Sequence, residues 1–417
     1  MRRWDLIRYV LTSCAAAALL AGCEWQSPGA IPQTAANGSA RSAGRRDSAS
    51  YQQLLRFHPP KDGTHPEAGL TEVRGTLYGT TEAGGLSDKG TVYSISTSGV
   101  WKMLHRFRGG TDGANPQSGL LNVNGTLYGT TAGGGPTYCN YSFPKNCGTV
   151  FSITPGGKEK VVYAFKGGSD GAHPLASLID ENGTFYGTTM GGGAYHVGTV
   201  FSISTSGAEK ILHSFAGGSD GANPLAGLIN VKGVLYGTTA SGGKGGGTVF
   251  RVTPAGVEKV LYAFQSPSGG LHPLSGLTDV NGMLYGTTFE GGDCYGCGVV
   301  YRISTKGAEK LLYEFKGGSD GEAPQADLIE LNGMLYGTTA NGGSSCFGGG
   351  DCGTVFSITT AGVETVLYVF AAGTDGAMPY APLTNVNGTL YGTTYHGGNH
   401  DVCCVAYGYG TVFALTP

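Results

Sequence analysis

Charged residues are scarce in this chain. Asp, Glu, Lys and Arg together make up 13% of its 417 residues, about half of the ~25% found in an average globular protein. The formal net charge of −3 provides no basic surface for nucleic acid. Collagen-like Gly triplets are absent, and 40% of the residues are apolar. The sequence therefore excludes collagenous, disordered and nucleic-acid-binding proteins, and it favours a folded protein that works outside the cytoplasm.

Common catalytic motifs are missing as well. The chain contains neither a Walker phosphate loop nor a His-Glu-x-x-His helix. Its acidic residues lie mainly in turns, so no pair of carboxylates is visibly placed for general acid–base catalysis. These absences favour a binding protein over an enzyme, and they imply no cofactor.

The first residues have the layout of an export signal. The stretch "MRRWDLIR" carries three arginines, and the apolar run "YVLTSCAAAALLAGC" that follows is too short and too rich in Ala for a membrane span. Leu20-Ala21-Gly22-Cys23 resembles the bacterial lipobox, in which the Cys is lipidated and becomes the new N-terminus. An ordinary signal peptide that ends near a Cys is the alternative.

We therefore predict three regions. Residues 1–22 form a lipoprotein signal peptide, residues 23–50 a flexible tether rich in Ser, Ala, Gly and Pro, and residues 51–417 the folded domain. This organisation predicts an exported protein of the bacterial cell envelope that contacts the membrane through its lipid anchor alone. It does not distinguish between the outer membrane, the periplasm and the cell surface.

Glycine, by contrast, is abundant, with 76 residues, and much of it belongs to an internal repeat. Leu-Tyr-Gly-Thr-Thr, once Phe-Tyr-Gly-Thr-Thr, recurs with its Tyr at positions 78, 128, 186, 236, 285, 336 and 391. The stretch "NVNGTLYGTT" occurs twice without change, at 122–131 and 385–394. Seven units of about 50 residues thus fill the chain from residue 51 to its end.

Each unit has the pattern of four antiparallel strands, a to d. In residues 177–215, "SLIDENGTFYGTT" contains two short strands joined by Asn182-Gly183, a residue pair that suits a type I′ hairpin turn. "GTVFSIS" and the alternating "AEKILHSF" supply strands c and d. One such small sheet cannot bury both of its faces alone, so tandem copies predict a β-propeller.

The two ends of the repeat region indicate that the ring closes. The last unit stops after a strand c, "GTVFALTP", whereas the folded region begins with "YQQLLRF", which has the pattern of strand d. The N-terminal strand 51–57 would therefore complete the last blade, which removes exposed sheet edges. A linear solenoid, the alternative, gains nothing from this offset. We predict an all-β, seven-bladed propeller of four-stranded antiparallel blades.

The Tyr-Gly-Thr-Thr and Gly-Thr-Val-Phe motifs that are paired in each unit resemble those of the GloVer-type tandem repeat family of bacterial exported and surface proteins. The resemblance covers residues 51–417. It implies an exported protein built from repeats, and it implies no particular activity, so it supplies no catalytic residues.

The loops between strands b and c differ most from unit to unit, with 8, 16, 8, 7, 9, 13 and 15 residues in units one to seven. Eight cysteines lie in these loops, as the pairs Cys139/Cys147, Cys294/Cys297, Cys346/Cys352 and Cys403/Cys404. We predict one disulfide per loop in an exported protein. A bond between the adjacent Cys403 and Cys404 would be strained, so these two are also candidates for pairing across blades. Zinc held by Cys294-x-x-Cys297 is an alternative.

Two repeated positions in the connection from strand d to the next strand a are candidates for chemistry. One is an Asp before Gly, which either caps its own turn or binds calcium. This position is occupied by Asp62, Asp112, Asp170, Asp220, Asp320 and Asp375. The other precedes a proline and is His65, His173 and His272 in units one, three and five. These histidines are candidates for metal binding or general-base catalysis near the axis. The alternative is that this position is simply extended backbone before proline.

Three functions are open on the sequence alone. The first is a lipid-anchored binding or scaffold module that holds a protein or glycan on the face formed by the b–c and d–a loops. The second is a propeller hydrolase or lyase with a metal- or His-based site at the mouth of the central channel. The third is a structural cell-envelope protein without a specific ligand. The sequence favours the first, because loop variation is confined to one face.

Overall fold

The computed structural model describes residues 49–59, 61–139, 146–294, 296–343, 352–398 and 408–417. From Ala49 to Pro417 the chain forms one compact unit. The predictions for residues 1–48, lipidation at Cys23 among them, lie outside the described residues, as do Cys346, Cys403 and Cys404. Within the described ranges, no helix is long and apolar enough to cross a membrane.

Seven antiparallel sheets of four strands make up this unit, and in six of them strands a to d follow one another along the chain. Blade one consists of β2 (Thr71–Val73), β3 (Thr76–Thr81), β4 (Thr91–Ser96) and β5 (Trp101–Arg106), and blade two of β6 (Leu121–Val123), β7 (Thr126–Thr131), β8 (Thr149–Ile153) and β9 (Glu159–Ala164). Blade three consists of β10 (Ile179–Glu181), β11 (Thr184–Thr189), β12 (Thr199–Ser204) and β13 (Glu209–Ser214).

The next three blades repeat this plan. Blade four consists of β14 (Ile229–Val231), β15 (Val234–Thr239), β16 (Thr248–Val252) and β17 (Glu258–Ala263), and blade five of β18 (Thr278–Val280), β19 (Met283–Thr288), β20 (Val299–Ser304) and β21 (Glu309–Glu314). Blade six consists of β22 (Ile329–Leu331), β23 (Met334–Thr339), β24 (Thr354–Thr359) and β25 (Glu364–Val369). Short 3-10 turns in the d–a connections span Gly110–Asp112, Gly168–Asp170, Gly218–Asp220, Pro267–Gly269 and Gly318–Asp320.

Blade seven joins the two ends of the repeat region. It consists of β26 (Thr384–Val386), β27 (Thr389–Thr394), β28 (Thr411–Thr416) and, as its strand d, β1 (Ser50–Arg56). β1 pairs antiparallel with β28, with Tyr51 opposite Leu415. The predicted seven-bladed propeller and its closure by the N-terminal strand are confirmed, and the strand begins one residue before the predicted position.

The Asn-Gly pairs form the predicted a–b turns. Asn182 and Gly183 both have positive φ, of 54° and 82°, as a type I′ turn requires. The turn is tightened by Asp180, whose Oδ1 accepts a hydrogen bond from the Gly183 amide at 2.8 Å.

The two threonines of Tyr-Gly-Thr-Thr have different roles. In blade three, Thr188 Oγ1 donates across the seam to the Ala226 carbonyl of the next blade, at 2.9 Å. Thr189 instead lies within its own blade, where its Oγ1 is 2.7 Å from that of Thr199 on strand c. Both side chains are buried. One threonine therefore joins neighbouring blades, and the other joins strands b and c.

An aromatic pair fills each seam between blades. The Phe that follows strand d meets an aromatic ring on strand c of the next blade, edge to face, with ring centroids 5.0 to 5.3 Å apart. The seven pairs are Phe57–Tyr93, Phe107–Phe151, Phe165–Phe201, Phe215–Phe250, Phe264–Tyr301, Phe315–Phe356 and Phe370–Phe413. The core thus lies between the blades, and the seam between blades seven and one is built like the other six.

Candidate functional site

The mouth of the central channel is formed by two segments of each blade. The first residues of the b–c loop and the start of the d–a connection are joined by an isolated bridge, such as Ala172 with Gly191 in blade three. Both loops therefore lie on one face, as predicted. The a strands of neighbouring blades contact one another around the centre. Two positions on this face are repeated in each blade, the residue after Thr-Thr and the residue after the proline of the d–a connection.

On one side of the mouth, polar and aromatic side chains from blades seven, one and two meet around Glu82. Gln117 Nε2 donates to Glu82 Oε1 at 3.0 Å, and Tyr395 Oη donates to Glu82 Oε2 at 3.4 Å. The Tyr395 ring lies 5.2 Å from that of Tyr380 and stacks on His65 at 4.5 Å. We call this group, together with two further neighbours, the mouth cluster: His65, Glu67, Glu82, Gln117, Tyr380, Tyr395 and His396.

Burial raises the pKa of both carboxyl groups in the mouth cluster. For Glu67, removal from water is the larger cause, and the negative charge of Glu82 adds to it. For Glu82, burial again raises the pKa, and the hydrogen bonds from Gln117 and Tyr395 oppose the rise. Two neighbouring carboxylates disfavour double ionisation. The pair therefore binds a proton more readily than an isolated Glu in water.

The histidines of the mouth cluster are held neutral. Burial, together with the smaller effect of the nearby His396, lowers the pKa of His65 to about 4. Burial also lowers the pKa of His396, whose Nδ1 lies 3.3 Å from the Gly408 carbonyl oxygen. At pH 7 the mouth cluster therefore offers two uncharged imidazoles, two phenols, one amide and two carboxyl groups with raised pKa values.

The opposite side of the mouth is apolar. In blades three, four and five the residues after the proline and after Thr-Thr are Leu175, Met190, Leu225, Ala240, Leu274 and Phe289. The three leucines and Phe289 remain partly exposed. The mouth is thus a ring with one polar side and one apolar side, although the strands beneath it repeat seven times.

The residue before the proline is left-handed in every blade, so its interpretation as extended backbone is wrong. His65, Asn115, His173, Asn223, His272, Ala323 and Met378 have φ between 55° and 59°. Two backbone hydrogen bonds hold this geometry. In blade three the His173 amide donates to the Cys147 carbonyl of the preceding blade, and the His173 carbonyl accepts from the Met190 amide. These bonds offset the steric cost of a positive φ.

The side chains at this position hydrogen-bond the preceding blade. His173 Nδ1 and His272 Nδ1 each lie 2.8 Å from the carbonyl oxygen of the residue after Thr-Thr, in Ala132 and Ala240. Asn223 makes the same bond to Met190 at 3.1 Å. These contacts give the position a role in joining blades, and Asn replaces His there without loss of the bond.

The three predicted histidines do not come together. His173 is fully buried, His272 Nε2 lies 3.9 Å from Glu290 Oε2, and His65 belongs to the mouth cluster. Among the described residues, the groups of His, Asp and Glu close enough to share a metal ion include none of the three. Their metal or catalytic role stays a prediction, and only His65 has the surroundings of a functional side chain.

The repeated Asp caps its own connection in most blades. Its Oδ2 accepts a hydrogen bond from the amide four residues earlier, at 2.6 to 3.0 Å, in Asp112, Asp170, Asp220, Asp320 and Asp375. Asp62 Oδ2 lies 4.0 Å from His58 Nδ1. The capping that the sequence suggested is therefore present, and calcium binding at these residues stays a prediction.

Strand d of each blade meets the next blade at the outer edge of the ring, where half-buried glutamates lie. In blade five Tyr313 Oη donates to Asp320 Oδ1 at 2.6 Å. Glu364 of blade six lies beside this pair, and its pKa rises to about 7, mainly through burial and then through the charge of Asp320. Burial and the charge of Asp170 likewise raise the pKa of Glu209, the first residue of strand d in blade three, to about 7.

These glutamates predict that stability falls as the pH rises. A carboxyl group whose pKa is higher in the folded state than in the unfolded state contributes stability below its ordinary pKa and loses it as pH rises through the folded value. We expect the unfolding free energy to decrease between pH 5 and 8, by about 1 kcal/mol or less per glutamate after solvent screening. Glu364→Gln should flatten this decrease in urea titrations, whereas Glu330→Gln, at an exposed position, should not. Equal slopes for wild type and Glu364→Gln would contradict the prediction.

Two of the predicted disulfides lie in the described residues. Cys139 pairs with Cys147 and Cys294 with Cys297, with Cα atoms 5.2 and 5.7 Å apart. Each pair closes its own b–c loop, as predicted, and Cys294-x-x-Cys297 forms a disulfide in place of the zinc alternative. Cys352 is buried, and its predicted partner lies outside the described residues. Disulfides indicate that the protein folds in an oxidising compartment.

The sequence prediction missed most of the mouth cluster. Glu67, Glu82, Gln117, Tyr380 and Tyr395 occupy two repeated positions whose residue type varies from unit to unit. The signal that identifies them is the alignment of the seven units on Thr-Thr and on proline. The residue directly after Thr-Thr or after the proline changes between units, for example from Glu to Leu or Tyr, while the motif around it stays the same.

The sequence matches one known family along most of its length. The family model for the Gloeobacter/Verrucomicrobia repeat matches residues 25–246, 137–349 and 244–417. The chain belongs to this family. None of the curated proteins matches it. For this member of the repeat family, the three overlapping matches agree with a ring of tandem blades.

Several solved structures are similar to this repeat protein at low sequence identity. A puromycin hydrolase mutant complexed with PGG has a TM-score of 0.50 and 12% identity, over 82% of this chain and 52% of that chain. A putative gluconolactonase has a TM-score of 0.42 and 12% identity, over 89% and 93% of the two chains. The PQQ-bound aldose sugar dehydrogenase of Streptomyces coelicolor has a TM-score of 0.42 and 12% identity, over 88% and 98%. At this identity the likeness concerns the fold alone.

Proposed function

We propose that the protein is an exported binding module whose channel mouth holds a carbohydrate. The observation that carries this proposal is the two-sided mouth, with the mouth cluster on blades seven, one and two and the partly exposed Leu175, Leu225, Leu274 and Phe289 on blades three to five. Sugars present hydroxyl groups that hydrogen-bond to carboxyl and amide groups, and C–H faces that pack against aromatic and aliphatic side chains. A mouth with both surfaces suits such a ligand.

The charged and neutral groups at the mouth indicate which class of carbohydrate it can bind. Glu67 and Glu82 are its two acidic groups on the polar side, and His65 and His396 are neutral at pH 7 because burial lowers the pKa of each. An anionic sugar would meet carboxyl groups without a compensating imidazolium. We therefore expect neutral sugars or amino sugars to bind better than uronic acids. Lipidation at Cys23 would place this site at the cell envelope.

Calorimetric titration with neutral, amino and uronic oligosaccharides tests the proposal. Glu82→Ala should weaken binding at least about tenfold, since a hydrogen bond to a charged or buried group contributes about 1.5 to 3 kcal/mol. Tyr380→Ala should weaken it about fivefold through lost ring contact. Glu330→Ala removes an exposed carboxylate near an a–b turn, on the other face of the ring, and should leave affinity unchanged.

A second variant distinguishes the mouth from the loops around it. Tyr138 lies in the long b–c loop of blade two and is 64% exposed. If Tyr138→Ala abolishes sugar binding while Glu82→Ala and Tyr380→Ala do not, the ligand is held by the loops and the mouth is not the site. If none of the oligosaccharides binds to the wild-type protein, the carbohydrate proposal is wrong.

Hydrolysis is a second candidate function, favoured by one observation. Glu67 and Glu82 are neighbouring carboxyl groups with raised pKa values, and Tyr395 donates a hydrogen bond to one of them. A carboxyl pair of this kind can divide the roles of general acid and general base. If the protein cleaves a bound oligosaccharide, Glu67→Gln should abolish product formation and leave binding intact. Binding without cleavage by the wild-type protein would remove this candidate.

A further inference from the structure

The outer edge of each seam brings together three side chains from two blades. The first is the fifth residue of strand d, the second is the Asp position of the d–a connection, and the third is the first residue of strand d in the next blade. Between blades one and two they are His105, Asp112 and Glu159, and between blades three and four they are His213, Asp220 and Glu258. In these two seams a histidine stands where the others have Tyr or Leu.

The two histidine seams place three acceptor atoms around one point. In each, one ligand atom of the His, the Asp and the Glu lies within 4.8 Å of the other two. His105 Nε2 lies 3.3 Å from Asp112 Oδ1, and His213 Nε2 lies 3.1 Å from Asp220 Oδ2. The side chains are only partly accessible to water. Two carboxylate oxygens and an imidazole nitrogen at this spacing can share one divalent cation.

The tyrosine seams show what the histidine changes. Between blades two and three, Tyr163 Oη donates to Asp170 Oδ1 at 2.7 Å and to Glu209 Oε2 at 3.3 Å. The phenol thus supplies a hydrogen to the two carboxylates at the equivalent positions. An imidazole has two neutral forms: with the proton on Nε2 it donates to the Asp oxygen, as the 3.1 Å contact of His213 with Asp220 allows, and with the proton on Nδ1 it presents an Nε2 lone pair. In the second form the seam carries a set of metal ligands that a tyrosine seam does not have.

We propose that His105–Asp112–Glu159 and His213–Asp220–Glu258 each bind a zinc-class divalent ion that clamps two neighbouring blades. One imidazole nitrogen with two carboxylate oxygens matches the ligand chemistry of Zn²⁺, and solvent completes the coordination. The His and Asp come from one blade and the Glu from the next. The ion therefore joins blade one to blade two and blade three to blade four.

The two sites differ in a neighbouring charge. Arg108 Nε lies 3.4 Å from Asp112 Oδ2 in the first site. The equivalent residue beside the second site is Ala216, whose amide caps Asp220 without adding a charge. A guanidinium beside a ligand competes with the metal for the carboxylate, so the second site should bind zinc more tightly. Arg108→Ala should bring the affinity of the first site closer to that of the second.

The test counts zinc bound to the whole mature protein, purified without a polyhistidine tag and kept under non-reducing conditions. Zinc titration by calorimetry and metal analysis after gel filtration should give two ions per chain. His105→Tyr and His213→Tyr should each give one, and the double variant none. Because tyrosine occupies this position in other seams, these variants should fold, which circular dichroism in EDTA checks.

A variant that should gain a zinc site complements the variants that should lose one. Tyr163→His rebuilds the seam between blades two and three, where Asp170 and Glu209 are already in place, and should add a third ion. Zinc should raise the melting temperature of the wild-type protein and leave that of the double variant unchanged. The proposal is overturned if the wild-type protein binds no zinc, if the double variant retains both ions, or if Tyr163→His adds none.

Discussion

Replacing Phe57 by alanine should lower the unfolding free energy by about 3 to 5 kcal/mol, as much as the same change at Phe215. Phe57 is the seam aromatic that follows β1, with 1% of its surface exposed, and its ring meets Tyr93 of blade one edge to face at 5.2 Å. Phe215 makes the same contact with Phe250 at 5.0 Å. If blade seven packs on blade one as blade three packs on blade four, the two variants lose the same cavity and contact energy.

Urea unfolding of both variants tests this equality. His58→Ala, at a side chain that is 69% exposed, is the matched control and should change stability by less than about 0.5 kcal/mol. In an open solenoid β1 would lose its sheet partner β28, and Phe57 would be held only by its contact with Tyr93 of blade one. A cost for Phe57→Ala well below that for Phe215→Ala would therefore mean that the ring is open in solution.

The second large effect is expected from Gly187→Val, with a loss of about 3 kcal/mol. Gly187 is the glycine of Tyr-Gly-Thr-Thr in blade three. A Cβ added there would lie 2.7 Å from Phe201 Cζ and 2.8 Å from Leu178 Cδ2. Both neighbours are buried in the seam, so neither can move away without opening the core. Overpacking of this kind typically costs 1 to 3 kcal/mol, and a branched side chain lies at the upper end.

The control for this variant is Gly156→Val in the exposed turn of blade two. A Cβ at Gly156 would meet only Thr154 Oγ1, at 3.7 Å, so the melting temperature should hardly change. If Gly187→Val is as stable as the wild-type protein, the ring of Phe201 does not lie over the glycine. The recurrence of Gly in all seven Tyr-Gly-Thr-Thr motifs would then need another explanation.

The repeat explains why so much of the fold could be predicted. Any contact that is made within one blade, such as the Asn182-Gly183 turn, appears seven times in similar form in the sequence. The offset between the first and last units identified β1 as the missing strand, and its pairing with β28 confirmed it. Because the same weak strand and turn signals recur in seven units, together they predict a single fold.

The functional contacts could not be predicted in this way, because they join residues that differ from blade to blade. Tyr395 and Glu82 are 313 residues apart and touch only because the ring closes. The prediction for the pre-proline position failed for a similar reason. Its left-handed backbone depends on hydrogen bonds to a neighbouring blade, such as that from the His173 amide to the Cys147 carbonyl. The preference for extended backbone before proline considers only the two residues of the dipeptide and takes no account of such a contact.

The closing strand has a consequence for how the chain acquires its structure. Tyr51 donates a hydrogen bond to the carbonyl of Asp375, 324 residues further along, because β1 precedes blade one in the chain but completes blade seven. During synthesis the first strand of the propeller to emerge is thus the last to find its partner. Until residues 411–416 follow, that strand remains a free edge able to pair with other chains. Five seams join blades that are complete before residues 411–416, whereas both seams of blade seven must wait for that strand.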